Sequence, residues 1–196
     1  LRVAINTGNR ALVQADGDDL NGISPALSRR LAREVSAEFQ PIIYDGAGKV
    51  FADAEADRWD VGYLAIDPDR AKKVAFTRPY ITIEATYAVR TGSRFQTVAD
   101  VDSTGTTVLT STGSAYDLYL TANLRAAKLE RSGTPPESFV EFRDGRGDAV
   151  AGVRASLEAA FADDPEVRLL PDVLCSVVPV LFLLSAVNQT LHLLLH

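Results

Sequence analysis

One arginine in this chain stands where an anion could be held. The segment AIDPDRAKKVAFTRPY (65–80) leaves an apolar run, turns through Asp67 and Pro68, and presents Arg70 one turn into a predicted helix. In parallel α/β sheets, ligands bind beyond the carboxyl ends of the strands. A guanidinium there can hold a carboxylate through two parallel hydrogen bonds. The alternative is a solvated arginine paired with Asp67 or Asp69, which would contribute little to stability.

A second candidate lies in TSTGSAYD (110–117), where a small polar loop with Gly113 joins a predicted strand to a predicted helix. Such a loop lets backbone N–H groups approach an anion closely. Ser114 and Asp117 also fit an S-x-x-D capping box, which would explain the same residues by helix stability alone. Both interpretations stay open at this point.

Polar residues also follow the first two predicted strands. Asn6 and Asn9 come after the first strand, and Tyr44 and Asp45 come at the end of the second. Taken singly, Asn and Asp are ordinary turn residues. Because the carboxyl ends of parallel strands share one edge of a sheet, several such groups together predict a cleft.

Catalysis has little support in the residue pattern. A Ser-His-Asp or Cys-His arrangement would have to use His192 or His196, close to the C-terminus. Their i, i+4 spacing could hold a metal on a helix, but no Cys, Asp or Glu cluster accompanies them. We therefore predict no catalytic residue, no metal and no cofactor.

The elements that must position these residues alternate between strand and helix. Predicted strands at 1–6, 41–44 and 59–66 are separated by predicted helices with short connections, which favours parallel βαβ units. In the first helix we expect Ser24 to be the N-cap. The apolar face repeats every four residues, at Ile23, Leu27, Leu31, Val35 and Phe39.

A long extended run, ITIEATYAVR (81–90), could bridge two bodies, and strand–helix alternation resumes after it. The fold class predicted is α/β, with lobe 1 at 1–86 and a hinge strand and lobe 2 at 87–172. The remaining segment, 173–196, is almost free of charge. Its proline and polar residues make it a poor membrane-spanning helix. We expect this atypical tail to return to lobe 1 or to pair with a second chain, and a monomer otherwise.

The composition is that of a soluble globular protein, with 196 residues, 46% hydrophobic and 23% charged. The formal net charge of −6 argues against nucleic-acid partners, which need a basic surface. With Cys175 as its single cysteine, the chain forms no intramolecular disulfide. It opens on a strand-like segment without a signal peptide, so we expect a mature form or a protein made without one.

The order of these motifs resembles the type 2 periplasmic solute-binding proteins of ABC transporters, in particular family 3, from residue 1 to about residue 172. The most specific part is WDVGYLAIDPDRAKKVAFTRPY (59–80), which is similar to the family's D-v-x-x-x-x-x-x-x-p-x-R-x-x-x-x-x-F-[ST]-x-P-Y segment. GDDLNGISPALSRRLA (17–32) resembles the family's first helix, and TVLTSTGSAYDLYL (107–120) resembles its lobe 2 loop and helix.

The resemblance implies two lobes that close on a ligand and are joined by extended strands, with ATYAVR (85–90) as a crossing. Arg70 would clasp a carboxylate, helped by backbone N–H groups from Thr112 through Gly113 to Ser114. The protein would be periplasmic and would deliver its solute to an ABC permease. Closure is a population shift that a permease can recognise.

Three positions depart from the family pattern. Ala65 stands where many amino-acid binders have a threonine, Asn9 replaces an aromatic residue, and the strand DAV is followed by no acidic residue. A carboxylate without an α-amino group is therefore as much expected as an amino acid.

Two alternative functions would use the same cleft. A cyclohexadienyl dehydratase would need a general acid, for which Glu141, Asp148 and Glu158 are the lobe 2 candidates. The sensing domain of a signalling receptor would bind a ligand in the same way.

Overall fold

The computed structural model describes residues 1–17 and 19–184, with thirteen strands and six α-helices in that part of the chain. The strands are β1 (Arg2–Asn6), β2 (Gln14–Asp16), β3 (Asp19–Asn21), β4 (Gln40–Tyr44), β5 (Val61–Ala65), β6 (Val74–Phe76), β7 (Ile83–Arg90), β8 (Thr107–Ser111), β9 (Lys128–Ser132), β10 (Ala149–Val153), β11 (Val167–Leu169), β12 (Cys175–Val177) and β13 (Pro179–Leu184). The helices are α1 (Ile23–Glu34), α2 (Ala47–Ala52), α3 (Val98–Val101), α4 (Ala115–Asn123), α5 (Pro135–Arg143) and α6 (Arg154–Ala160).

Two sheets define two α/β lobes. Lobe 1 has the strand order β4-β1-β5-β13-β6, and lobe 2 has the order β11-β7-β10-β8-β9 with β12 also paired to β7. In lobe 1, β1 runs parallel to both β4 and β5, as the strand–helix alternation predicted. Every residue of β5 is buried, which explains its continuous apolar run.

The chain changes sheet in two places. Strand β6 ends at Phe76 in lobe 1, and β7 begins at Ile83 in lobe 2, where it pairs along its whole length with β10, β11 and β12. The crossing expected of 85–90 therefore falls earlier in the chain, in the stretch between β6 and β7. The second crossing lies between Val177 of β12 and Pro179 of β13.

The described part of the C-terminal tail joins the lobe 1 sheet between β5 and the edge strand β6. Strand β13 is antiparallel to β5 on one side, with Pro179 opposite Ala65, and antiparallel to β6 on the other. Both edges of this strand are thus paired within the chain. Residues 185–196, including His192 and His196, lie outside the described residues. No helix among the described residues is long and apolar enough to cross a membrane.

Helix α1 begins earlier than its sequence predicted. Gly22 is the N-cap, at φ 102°, a backbone angle that glycine adopts without strain, so the prediction of Ser24 as cap is wrong. The buried face carries Ser24, Pro25, Ser28 and Ala32, while Leu27 is 39% exposed. Small side chains on this face leave room for a hydrogen bond between Ser28 Oγ and Tyr63 of β5, at 2.8 Å.

Candidate functional site

A cavity of about 50 Å³ lies between the two lobes, at the carboxyl ends of β1 and β5. Its described wall consists of Asn6, Gly8, Asn9, Leu12, Ala47, Tyr63, Leu64, Ala65, Arg70, Ser114, Ala115, Tyr116, Pro135, Val153, Ser156, Val177 and Pro179. Pockets that enclose small molecules usually measure about 300–1,000 Å³. A ligand of more than a few atoms therefore needs the lobes to move apart.

The turn after β5 brings Arg70 to this cavity. Asp67 Oδ1 accepts hydrogen bonds from the backbone N–H groups of Asp69 and Arg70, at 2.9 and 3.2 Å. This tight turn leads into a short 3₁₀ helix, Arg70–Lys72, at the place where the sequence predicted a helix. The carboxylate of Asp67 thus shapes the backbone and does not pair with the guanidinium. The solvated alternative required such an ion pair.

The Arg70 side chain is 2% exposed and is held by carbonyl groups from both lobes. One terminal nitrogen donates to the Ala65 carbonyl at 3.0 Å, and the other donates to the Gly113 carbonyl at 2.6 Å. The Phe51 ring lies 5.9 Å from the guanidinium carbon. Burial lowers the pKa of Arg70, and the negative charge of Asp67 partly offsets that effect.

No carboxylate of the described residues lies within 4.0 Å of this guanidinium. A buried cation without a counter-ion is costly, because carbonyl dipoles replace its hydration only in part. An anionic ligand would supply the missing charge and would use N–H donors that the two carbonyls leave free.

The loop 112–114 meets Arg70 with a carbonyl group. Its N–H groups are bonded inside lobe 2: Thr112 N–H donates to Ser132 O, Gly113 N–H to Asp117 Oδ2 and Ser114 N–H to Ser111 O. Ser114 Oγ accepts from the N–H of Asp117, so Ser114 caps the helix, but the reciprocal bond of the predicted capping box is not formed, because the Asp117 carboxylate accepts from the Gly113 N–H. The backbone N–H groups expected to contact an anion are therefore engaged by the protein in this arrangement.

The other predicted site residues divide into two groups. Asn6 and Asn9 line the cavity with Ala65, Arg70 and Ser114. Tyr44 lies behind the wall, where its hydroxyl donates to Asp53 at 2.9 Å. Asp45 forms an exposed ion pair with Lys49, and Thr112 and Gly113 also lie outside the wall.

Two contacts between the lobes involve residues that the sequence did not indicate. Ser156 of α6, which is 3% exposed, donates from Oγ to the Gly8 carbonyl at 3.1 Å and accepts from the Arg10 N–H at 3.0 Å. Gly48 of α2 packs so closely on Gly113 and the Thr112 carbonyl that a side chain there would collide. These contacts hold the lobes together around the cavity.

The chain belongs to the bacterial extracellular solute-binding proteins of family 3, whose profile matches residues 1–170. It accordingly has the two-lobed α/β architecture of that family, as its sequence resemblance predicted.

Solved structures with the same fold include an arginine-bound Gly52Ala mutant of the arginine-binding protein of T. maritima. That likeness has a TM-score of 0.84 at 23% identity and covers 98% of this chain and 91% of the other. The cysteine-binding protein from Campylobacter jejuni matches with a TM-score of 0.83 at 22% identity, covering 99% and 79%.

A curated relative by sequence is the cyclohexadienyl dehydratase of Pseudomonas aeruginosa, 26% identical over 164 residues. The match covers 81% of this chain and spans 58% of the length of that enzyme.

Proposed function

We propose that this chain captures a small carboxylate-bearing solute in the periplasm and delivers it, as a monomer, to the permease of an ABC importer. The observation that supports the proposal is the buried guanidinium of Arg70, which faces the cavity between the lobes and has no carboxylate partner among the described residues. A bidentate contact with a carboxylate is the interaction for which guanidinium geometry is best suited.

Lobe closure is part of this proposal. Arg70 of lobe 1 reaches the Gly113 carbonyl of lobe 2, and Ser156 of lobe 2 bonds the loop after β1. A ligand that contacts both walls favours the closed form by its differential affinity for that form. The closed form is then the state that a permease recognises.

The experiment is a titration of the purified chain with a panel of carboxylates and of amines that lack a carboxylate. Carboxylates should raise the melting temperature, and Arg70→Ala should reduce their affinity by about 100-fold, since each hydrogen bond to a charged group contributes about 1.5–3 kcal/mol. Lys72→Ala is the matched control, because that lysine lies on the same 3₁₀ turn but is exposed and paired with Asp69. Equal stabilisation of wild type and Arg70→Ala by carboxylates would contradict the proposal.

A dehydratase remains the second candidate because of the 26% identical relative. That reaction needs an acid facing the ligand. Glu141 instead accepts from Ser132 and pairs with Arg146, Asp148 accepts from the Thr107 N–H, and Glu158 is exposed. None of the three lines the described wall of the cavity, which favours binding without turnover. Formation of an ultraviolet-absorbing aromatic product from a cyclohexadienyl carboxylate would reverse this preference.

A further inference from the structure

We infer that the cleft selects small carboxylates that carry no α-ammonium group over the amino acids with the same carbon skeleton. The inference rests on the proposed function, since it assumes that Arg70 holds the ligand's carboxylate. It concerns the rest of the ligand, which the remaining wall of the cavity must accept.

The wall carries one kind of charge. Among its described residues Arg70 is the one charged side chain at neutral pH, and the wall contains no Asp or Glu. An α-ammonium group is separated from its carboxylate by one carbon, so it would be buried close to the guanidinium. Burying a second cation without an acidic partner is unfavourable, because the charge loses its hydration and gains a repulsive neighbour.

Two acidic residues close in sequence to the site are already occupied. Asp117 accepts from Arg131 Nε and from the Gly113 N–H, both at 2.9 Å. Asp67 accepts from the backbone of the turn that follows β5. Neither carboxylate belongs to the described wall of the central cavity; Asp67 lines an adjoining cavity next to Arg70.

The end of β10 shows the same lack of an acid. Val153 lines the cavity with an apolar side chain. The next residue, Arg154, donates to Glu84 at 3.2 Å and to the carbonyls of Leu170 and Pro171, all in lobe 2. Val153 therefore offers methyl groups to a ligand. The guanidinium of Arg154 is engaged by its lobe 2 partners.

The neutral acceptors of the wall are mostly bonded as well. The hydroxyls of Tyr63 and Tyr116 share hydrogen bonds with Ser28 and Ser111, at 2.8 and 2.6 Å, and Ser156 both donates and accepts across the cleft. The buried Oδ1 of Asn9 is an acceptor without a partner among the described residues. One neutral acceptor suits a single hydroxyl donor, whereas an ammonium group brings three N–H donors.

The test is isothermal titration calorimetry with probes matched in skeleton: leucine, 2-hydroxy-4-methylpentanoate and 4-methylpentanoate, and likewise phenylalanine, 3-phenyllactate and 3-phenylpropanoate. We expect the acids without nitrogen to bind at least about 10-fold more tightly than the amino acid of each set, since an unsatisfied buried charge costs more than about 1.4 kcal/mol. Equal or tighter binding of the amino acids would overturn the inference and leave the proposed function intact. Absence of binding by every carboxylate would overturn both.

A gain of function gives a second measurement. Val153→Asp adds a carboxylate to the wall and should shift the preference toward the amino acid by about 10-fold or more. Val153→Asn, which introduces a side chain of the same shape as Asp without its charge, should not. Asn9→Asp, on a partly exposed loop, should shift the preference in the same direction if Val153→Asp does not fold. A folded acidic variant with an unchanged preference would count against the inference.

Discussion

Arg70 and Asp117 are buried charges on opposite sides of the cleft, and the protein treats them differently. Asp117 in lobe 2 is 4% exposed, and its carboxylate pairs with Arg131 and accepts from the Gly113 N–H. Arg70 in lobe 1 is 2% exposed, and its described partners are carbonyl oxygens. Gly113 links the two charges, because its N–H donates to the Asp117 carboxylate and its carbonyl accepts from the Arg70 guanidinium.

The difference separates a structural charge from a binding charge. A charge that is neutralised within its own lobe stabilises the local fold, and its loss leaves partners unsatisfied. A buried charge that lacks a counter-ion contributes little to folding and is available to a ligand of opposite sign. The following predictions test whether this distinction holds, in order of expected effect.

Removal of Asp117, the charge that is neutralised within its own lobe, should have the largest effect on stability. Asp117→Ala leaves Gly113 N–H and Arg131 without their acceptor and should lower the free energy of unfolding by about 2–4 kcal/mol. Urea unfolding measures this change. As a control, Glu34→Ala removes an exposed ion pair with Arg30 and should cost less than about 0.5 kcal/mol. A loss below about 1 kcal/mol for Asp117→Ala would contradict the structural role.

Removal of Arg70, the charge without a counter-ion, should have a much smaller effect on stability. Arg70→Met loses two hydrogen bonds to carbonyls but no longer buries a cation, so the free energy of unfolding should stay within about 1 kcal/mol of wild type. The same urea unfolding experiment, without added carboxylate, measures it. If Arg70→Met destabilised the protein as much as Asp117→Ala, the two charges would have the same role and the comparison would fail.

Removal of a contact between the lobes should weaken ligand affinity more than it lowers the free energy of unfolding. Ser156→Ala removes the hydrogen bonds to Gly8 and Arg10 that join the lobes, which predicts a 5- to 10-fold weaker affinity, about 1 kcal/mol. Calorimetry with the tightest carboxylate measures it. Ser138→Ala is the matched control, because this buried serine donates to Pro135 within lobe 2 and should change stability without changing affinity.

Removal of a partly exposed carboxylate that accepts several hydrogen bonds should give the smallest effect. Backbone N–H groups of Ala127, Ala126 and Arg125 hold the pKa of Asp102 below its usual range. Because the folded pKa is lower than the unfolded pKa, the stabilisation is present above the unfolded value of about 3.9 and is lost as the pH falls through the folded value.

Relative to wild type, Asp102→Asn should therefore lose under about 1 kcal/mol at pH 7, after allowance for solvent screening. The difference should shrink as the pH falls below about 4. Unfolding curves measured at pH 7 and pH 3 would give both values. A difference that did not change with pH would show that the charge of Asp102 does not contribute.

Local patterns predicted most elements, but they missed one helix and did not identify the most deeply buried residues of another. The continuous apolar run of β5 and the parallel pairing around β1 followed from hydrophobicity and alternation. Helix α5 was not predicted, although Thr134 caps it and a proline begins it. Of the apolar face predicted for the first helix, Ile23, Leu31, Val35 and Phe39 pack on the core and Leu27 is exposed. The most deeply buried residues are small, because this face packs closely on Tyr63.

The sequence by itself determined the family, the α/β class and the place of Arg70 beyond the end of β5. These depend on neighbours in the chain: an apolar run, an Asp-Pro turn and a helix start. The tertiary structure alone decided that the guanidinium is buried, that Gly113 meets it with a carbonyl, and that Ser156 and Gly48 connect the lobes. Such contacts join residues that lie many positions apart, and their energies depend on burial, which no local pattern specifies.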